Sequence, residues 1–196
     1  MANREIFYFP DWSLFAFFIA TVLGVHFANG ALGPQPGDAK LSLEQTFDPK
    51  TNDALRAAVW CLVLLVPKTL FMAFWTVYVR IKNNTFINPE DFDDGDPKVK
   101  PKTHDEAVER VRRAHLNDLE NVVPGVDVIV FFAAAILVPG SHTAGWVYPT
   151  TFTALRLLHS AVYAGLAIPH FWRAQVFSLG VACTCGSCNL MMREVM

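Results

Sequence analysis

Charged side chains are scarce in this chain. Asp, Glu, Lys and Arg together make up 17% of the 196 residues, against about 25% in an average soluble domain. The formal net charge is −2, so the chain has no basic excess of the kind that a nucleic-acid-binding protein needs. Four cysteines are too few for a disulfide framework at this length. The remaining classes are a soluble protein that is almost entirely core and an integral membrane protein.

Hydrophobic residues, by contrast, make up 53% of the chain and are gathered into long runs. A helix that crosses a bilayer needs about 20 mostly apolar residues, and tryptophans lie near the ends of several runs, as in the aromatic belts of membrane proteins. A soluble helical bundle would instead carry a polar stripe with the helical period, and most of these runs lack one. We therefore predict an all-α, polytopic membrane protein. The five candidate segments are 11–29, 57–79, 122–138, 146–168 and 171–192.

The distribution of Lys and Arg predicts the orientation in the membrane. Eight of them lie in the connection 80–116, whereas the connection 139–145 has none. By the positive-inside rule, 80–116 is cytoplasmic and the segment 57–79 begins on the lumenal side. The polar stretch 30–56 is then a lumenal linker.

The first hydrophobic segment, 11–29, has two interpretations. A cleaved signal peptide begins with a basic region, but the first ten residues contain a single Arg next to a Glu, which favours an additional helix that is retained. On this interpretation residues 1–54 form an N-terminal hydrophobic segment with a lumenal linker. Residues 55–196 then form a four-helix membrane domain.

The most informative polar stretch precedes the third hydrophobic segment. At 100° per residue, Arg113, Asn117 and Glu120 share one face of a helix, and Arg110 joins them one turn earlier. Polar groups near membrane depth are costly unless they face a protein interior or a ligand. The alternative is a solvated helix extension with ion pairs between successive turns. Residue types and spacing leave both interpretations open.

Residues 109–121, with the sequence ERVRRAHLNDLEN, resemble the signature of the MAPEG superfamily, the membrane-associated proteins of eicosanoid and glutathione metabolism. A match of thirteen residues is specific. Other landmarks of the family occur in the same order, and the resemblance covers roughly residues 55–190. These landmarks are Lys68, Arg80, an NPED turn at 88–91, Arg156, His159, Tyr163, Pro169 and Arg173.

The resemblance implies a four-helix membrane bundle that assembles as a homotrimer and binds glutathione between subunits, with Arg80 contributed by the neighbour. Glutathione has two carboxylates, an ammonium and a thiol, and guanidinium groups bind carboxylates in a bidentate, always-charged geometry. The resemblance implies that Arg80, Arg112 and Arg113 bind the carboxylates and that Glu120 binds the ammonium. It implies that His115 and Asn117 orient the ligand and that Tyr163 donates a hydrogen bond to it. The implied catalytic residue is Arg173, which would stabilise the thiolate.

The implied activity is that of a glutathione transferase, with glutathione as co-substrate and no metal. Its substrates would be hydrophobic electrophiles and lipid hydroperoxides, and its location the endoplasmic reticulum membrane, with the mitochondrial outer membrane as a second site. Ala174 follows Arg173, which favours this branch over isomerases of the prostaglandin E synthase type, where Ser follows. Such an isomerase and a non-enzymatic protein that presents lipids are the alternatives. Phe92 replaces the reactive Cys of the transferase branch.

Several other polar residues lie within the hydrophobic segments. For Arg156 and His159, a structural role is as plausible as contact with a ligand, and we leave both out of the predicted site. The structural interpretation pairs Arg156 with an acid such as Asp127 or Glu120. Lys68 lies in the middle of a segment and must have a polar neighbour, so we predict a structural role for it as well.

Three cysteines, Cys183, Cys185 and Cys188, lie near the end of the last segment. Their spacing does not match that of a structural zinc site, and no partner His or Cys is nearby in the sequence. We expect small residues packed within a helix, or sites of palmitoylation near the membrane interface.

Overall fold

In a computed structural model of the chain, four long helices carry most of the described residues. We number them α1 to α4 in chain order. The structure describes residues 20, 24, 42–86, 88, 102–134, 143–166 and 168–195, without the side chains of a few of them. The long helices are α1 (Asp53–Lys82), α2 (Glu106–Ala134), α3 (Thr143–Ser160), which continues into a π-helical turn (Ala161–Gly165), and α4 (His170–Val195), and a single helical turn, Leu43–Thr46, precedes α1.

The junction between α1 and α2 is held by polar contacts at both helix ends. The carboxylate of Asp105 caps α2 by accepting hydrogen bonds from the backbone N–H groups of Ala107 at 3.0 Å and Val108 at 3.4 Å. The amide of Asn83, the C-cap residue that follows α1, donates to the same carboxylate oxygen at 3.3 Å. A backbone hydrogen bond from Lys102 to Asn84 at 2.9 Å closes the connection. These contacts fix the end of α1 against the start of α2.

The four helices form a bundle in which α1 packs on α2 and α3, and α4 packs on α3 and α2. The outer surface of α1 is strongly apolar: Phe74, Ile81 and Trp60 are among its exposed residues, and Phe74 is 73% exposed. A contiguous exposed apolar surface of this kind is unfavourable in water and marks a membrane or interaction surface. Two of the described helical segments, Asp53–Lys82 and His170–Arg193, are long and apolar enough to cross a bilayer.

The prediction of an all-α membrane bundle is confirmed. The third hydrophobic segment continues from the polar stretch before it, because α2 begins at Glu106 and runs without a break to Ala134. The fourth and fifth segments correspond to α3 with its π-helical turn and to α4. The additional N-terminal helix expected over 11–29 lies outside the described residues, apart from positions 20 and 24.

The bundle interior is divided into two apolar clusters. One cluster contains Leu65 of α1, Phe152 of α3 and Leu190 of α4. The other contains Met72 of α1 and Ala114 of α2, with Tyr163 packed against it. Along α1, α2 and α3 alike, polar residues separate the two clusters. The charged layer described below therefore lies in the middle of the bundle rather than at one of its ends.

A close approach between α2 and α3 makes one glycine essential. A Cβ atom added at Gly125 would lie 2.2 Å from Cζ of Phe152, and this ring is buried in the first apolar cluster, so it has little room to move. We expect Gly125→Ala to lower the free energy of unfolding by about 1–3 kcal/mol through overpacking, measured by unfolding the detergent-solubilised protein with SDS.

Gly180 of α4 provides the matched control. A Cβ atom there would lie 3.7 Å from Cδ of Arg156, an ordinary contact distance. Gly180→Ala gains the same helix propensity, about 1 kcal/mol, without the clash. A Gly125→Ala variant as stable as Gly180→Ala would contradict the close packing of α2 on α3.

Candidate functional site

The end of α3 and the start of α4 bring together two of the predicted site residues. The guanidinium carbon of Arg173, in the first turn of α4, lies 4.9 Å from the centre of the Tyr163 ring, which is a favourable cation–π arrangement. Tyr163 lies in the π-helical turn, a feature that is frequent at functional sites. Its ring is also 5.6 Å from that of His159. The predicted catalytic cation is therefore held against an aromatic ring that is itself packed into the bundle.

A layer of buried charge lies beside this pair, centred on Asp118 of α2, whose side chain is 0% exposed. One carboxylate oxygen accepts a hydrogen bond from Arg156 of α3 at 2.9 Å. The other lies 2.5 Å from the ammonium of Lys68 of α1 and accepts a hydrogen bond from Ser160 at 2.8 Å. The partners of Asp118 lie on α1 and α3, so this residue links three helices. Buried charges are stable only when they are paired and hydrogen-bonded, and these contacts meet that requirement.

These contacts correct one prediction and confirm another. Among the described side chains, the acid that contacts Arg156 is Asp118, which is neither of the two acids named in the structural interpretation. Glu120 lies on the exposed face of α2, and the side chain of Asp127 lies outside the described part. Asp118 is two residues before Glu120, and at 100° per residue this turns it away from the exposed face and into the bundle. Lys68 does have the polar neighbour expected for a structural residue.

Asn117 belongs to the same layer rather than to an open binding surface. Its side-chain oxygen accepts a hydrogen bond from Arg156 at 3.1 Å, and its backbone carbonyl accepts one from the amide of Asn121 at 2.7 Å. Asn117 therefore makes a structural contact to α3, and its role in orienting a ligand stays a prediction.

The two predicted arginines at the start of α2 are exposed and engaged with acids of their own helix. Arg112 lies 3.3 Å from Glu109, and Arg113 lies 3.3 Å from Glu106. These are the ion pairs of a solvated helix extension, one of the two interpretations left open above. Exposed pairs of this kind are worth about 0–1 kcal/mol, so a ligand carboxylate can replace the acid at little cost. Within one chain, the described contacts do not link either arginine to Arg173.

Three of the predicted site residues have a buried nitrogen that lacks a hydrogen-bond partner within the described part of the chain. These atoms are Nε of Arg80, Nδ1 of His115 and Nε of Arg173. Buried polar atoms in native proteins are nearly always hydrogen-bonded. A partner is likewise lacking for Oγ1 of Thr153, Nε of Arg156 and Nδ1 of His159, so the unsatisfied atoms of the described residues are not confined to the predicted site.

Sequence reasoning missed Asp118 and Ser160, which organise the charged layer. The available signal was the position of Asp118 four residues after Ala114 and four before Val122, both of which are buried in the apolar clusters. This spacing places Asp118 on the inward face of α2. A carboxylate on that face needs a cation, and Lys68 and Arg156 were available.

The three cysteines of α4 differ in their exposure. Cys183 is buried in the first apolar cluster, Cys188 is half-buried and Cys185 is exposed. Among the described residues, no three His, Cys, Asp or Glu side chains are grouped so that they could hold a metal ion. The packing of Cys183 fits the expectation of a small residue within a helix.

The chain is therefore a helical membrane protein. Its bundle has buried charge at the centre and a cation, Arg173, in the first turn of the last helix. The family model described as MAPEG family matches residues 57–191, and the chain belongs to this family.

Curated relatives with two different names are among the proteins that the chain resembles. Microsomal glutathione S-transferase 1 of Mus musculus is 34% identical over 146 residues, which cover 73% of this chain and 92% of the relative. The protein of the same name from Rattus norvegicus is 32% identical over 155 residues, covering 78% and 96%. Prostaglandin E synthase of Homo sapiens is 34% identical over 116 residues, covering 59% and 73%.

Proposed function

We propose that the chain is a membrane-bound glutathione transferase that conjugates glutathione to hydrophobic electrophiles and also reduces lipid hydroperoxides. The observation that carries the proposal is the cation at the start of α4: Arg173, held against the ring of Tyr163. A helix N-terminus favours a negative charge, and the guanidinium adds a full positive charge beside it. Both would stabilise a thiolate, which is the nucleophilic form of glutathione.

In the proposed conjugation the thiolate sulfur of glutathione attacks an electrophilic carbon and displaces its leaving group, while the thiol proton passes to solvent. Reduction of a hydroperoxide would consume two glutathione molecules and produce an alcohol, water and glutathione disulfide. Arg173 would stabilise the negative sulfur in a site that excludes water, where such a charge interaction is strong. Tyr163 would donate a hydrogen bond to the ligand.

The unsatisfied nitrogen atoms of Arg80, His115 and Arg173 support a site that is completed by glutathione and a neighbouring subunit. We propose a homotrimer in which Arg80 of one chain reaches the site of the next, and Arg112, Arg113 and Glu120 bind the carboxylates and the ammonium. The proposed location is the endoplasmic reticulum membrane, with 80–116 on the cytoplasmic side. Residues 1–54 would form the N-terminal segment and linker, and 55–196 the membrane domain.

Two assays on the purified protein separate this function from its rivals. We expect glutathione-dependent conjugation of a chloronitrobenzene and little isomerisation of a prostaglandin endoperoxide. The opposite pattern would indicate an isomerase, as the name of some relatives suggests. Absence of both activities, with glutathione binding also absent, would indicate a protein that presents lipids to other enzymes.

Glutathione affinity tests the proposed binding residues. In the proposed complex, the ligand and the neighbouring subunit cover Arg113 and Glu120, so each would form a charge-assisted contact that is shielded from water. We expect Arg113→Ala and Glu120→Ala each to weaken glutathione binding by at least about thirtyfold, which corresponds to about 2 kcal/mol, as measured by calorimetric titration.

Arg56→Ala is the matched control for Arg113→Ala. The Arg56 side chain is 51% exposed and pairs with Asp53 of its own helix, and the Arg113 side chain is 49% exposed and pairs with Glu106. Arg56 lies at the opposite end of α1 from the proposed site. Wild-type affinity in both Arg113→Ala and Glu120→Ala would refute the binding assignment.

A further inference from the structure

Two adjoining cavities lie along α1 and share Trp75 and Ala164 as lining residues. The first, of about 530 Å³, lies between the end of α1 and the start of α2. The second, of about 430 Å³, lies between α1 and the end of α3. The lining of α1 extends from Lys68 to Lys82, a distance of about 21 Å at the helical rise. We call the two cavities together the α1 groove.

The first cavity carries two cations that no acid of the described residues pairs with. Lys82 and Arg110 line it, and neither forms an ion pair with a residue in the described ranges. The carboxylate that also lines this cavity, Glu106, is engaged by Arg113 at 3.3 Å. The mouth of the α1 groove therefore has two available positive charges, which favour an anionic ligand.

The wall of the α1 groove is aromatic. Phe71 and Trp75 stack with ring centres 5.8 Å apart, and Trp75 and Tyr78 are 5.4 Å apart. Trp and Tyr side chains are enriched at the level of lipid headgroups. The three rings form a continuous ladder from the second cavity to the basic mouth.

The floor of the second cavity is apolar and built from small residues, among them Ala161, Ala164 and Gly165. A Cβ atom added at Gly165 would meet nothing within 4 Å, so the space above this residue is open. Half of a bilayer's hydrocarbon core is about 15 Å thick, and the α1 groove is long enough to hold one acyl chain over that depth together with a headgroup.

We propose that the α1 groove binds an anionic phospholipid, with its phosphate between Lys82 and Arg110 and one acyl chain along Phe71 and Trp75 over Gly165. The positive-inside prediction places the basic mouth at the cytoplasmic leaflet, where anionic lipids are concentrated. A cavity of about 530 Å³ has room for a phosphodiester headgroup. This proposal does not depend on the proposed transferase activity, because it involves neither Arg173 nor Tyr163.

The test is lipid retention by the purified full-length protein, measured by native mass spectrometry after exchange into micelles that contain equal amounts of phosphatidylserine and phosphatidylcholine. We expect one phosphatidylserine per chain to be retained in preference to phosphatidylcholine. Lys82→Gln and Arg110→Gln should each lower this retention about fivefold, and the double variant about thirtyfold. Excess inorganic phosphate should not displace the lipid, because it has no acyl chain.

Two further variants sharpen the test. Lys102→Gln removes a cation that does not line the groove and is engaged with Asp105 at 3.7 Å, and it should leave retention unchanged. Gly165→Phe should block the groove without disturbing the bundle, because the added ring enters open space. Equal retention of the two lipids, or an equal effect of Lys102→Gln, would overturn the proposal. The proposal would also be overturned if Gly165→Phe retained the lipid but changed the oligomeric state of the protein. That result would assign the α1 groove to a contact between copies of the chain.

Discussion

Replacing Asp118 by Asn is expected to lower the free energy of unfolding by about 3–5 kcal/mol, the usual effect of leaving a buried charge without its partner. Asp118 is the carboxylate that both Lys68 and Arg156 contact. The amide has nearly the same size and can still bond to Ser160, so the change isolates the loss of charge. Two buried cations would then face each other without a counter-charge. SDS unfolding of the detergent-solubilised protein measures the effect.

Glu120→Gln is the control, because it makes the same acid-to-amide change on the exposed face of the same helix. Without glutathione it should alter stability by less than about 0.5 kcal/mol, as is usual for surface substitutions. Adding Lys68→Met to Asp118→Asn should recover part of the loss, since one of the two stranded cations is removed. If Asp118→Asn were as stable as Glu120→Gln, the charged layer could not be what joins α1, α2 and α3.

Substituting Arg173 by Leu is expected to depress turnover strongly while leaving glutathione affinity mostly intact. The cation acts on a charge that exists only after the thiol has ionised. Without it, the pKa of the bound thiol should rise toward its free value, about 8.5 for a Cys thiol. Each unit of this rise lowers the thiolate fraction about tenfold at neutral pH. The measurement is kcat and KM for conjugation across a range of pH.

The sign of the pH dependence distinguishes this role from packing. Because the variant's thiol would have the higher pKa, its rate should keep rising at pH values where the wild-type rate has levelled off, and the defect should shrink. Arg173→Lys keeps the charge and should retain more turnover than Arg173→Leu. A defect of the same size at every pH, shared by both variants, would mean that Arg173 only packs against Tyr163.

Patterns that depend on a single helix were predictable from the sequence. The run of apolar residues at 57–79 defines α1, and the polar residues at helical spacing over 110–120 predict the helix that continues into the third segment. The family resemblance implied separate roles for Arg173 and Tyr163, but it did not predict their contact, because the two residues lie on successive elements and nothing in their spacing requires it.

Contacts between helices were not predictable, because they depend on how each helix is rotated in the bundle. Arg156 had several acids within reach on α2, and the choice of Asp118 depends on which face of α2 points inward. The requirement for Gly125 likewise depends on the position of the Phe152 ring. Exposed ion pairs such as Arg113 with Glu106 contribute little to stability. A sequence alone therefore does not tell whether such an arginine pairs with an acid of its own helix or binds a ligand.

A pH titration of the ultraviolet thiolate absorbance of glutathione bound to the purified protein is the most direct test of the proposed chemistry. For the wild type, we expect thiolate absorbance at neutral pH and a midpoint clearly below about 8.5, the value of a free Cys thiol. In Arg173→Leu the midpoint should return toward that value. An identical midpoint in the two proteins, or no thiolate signal from the wild type at neutral pH, would contradict thiolate stabilisation by Arg173.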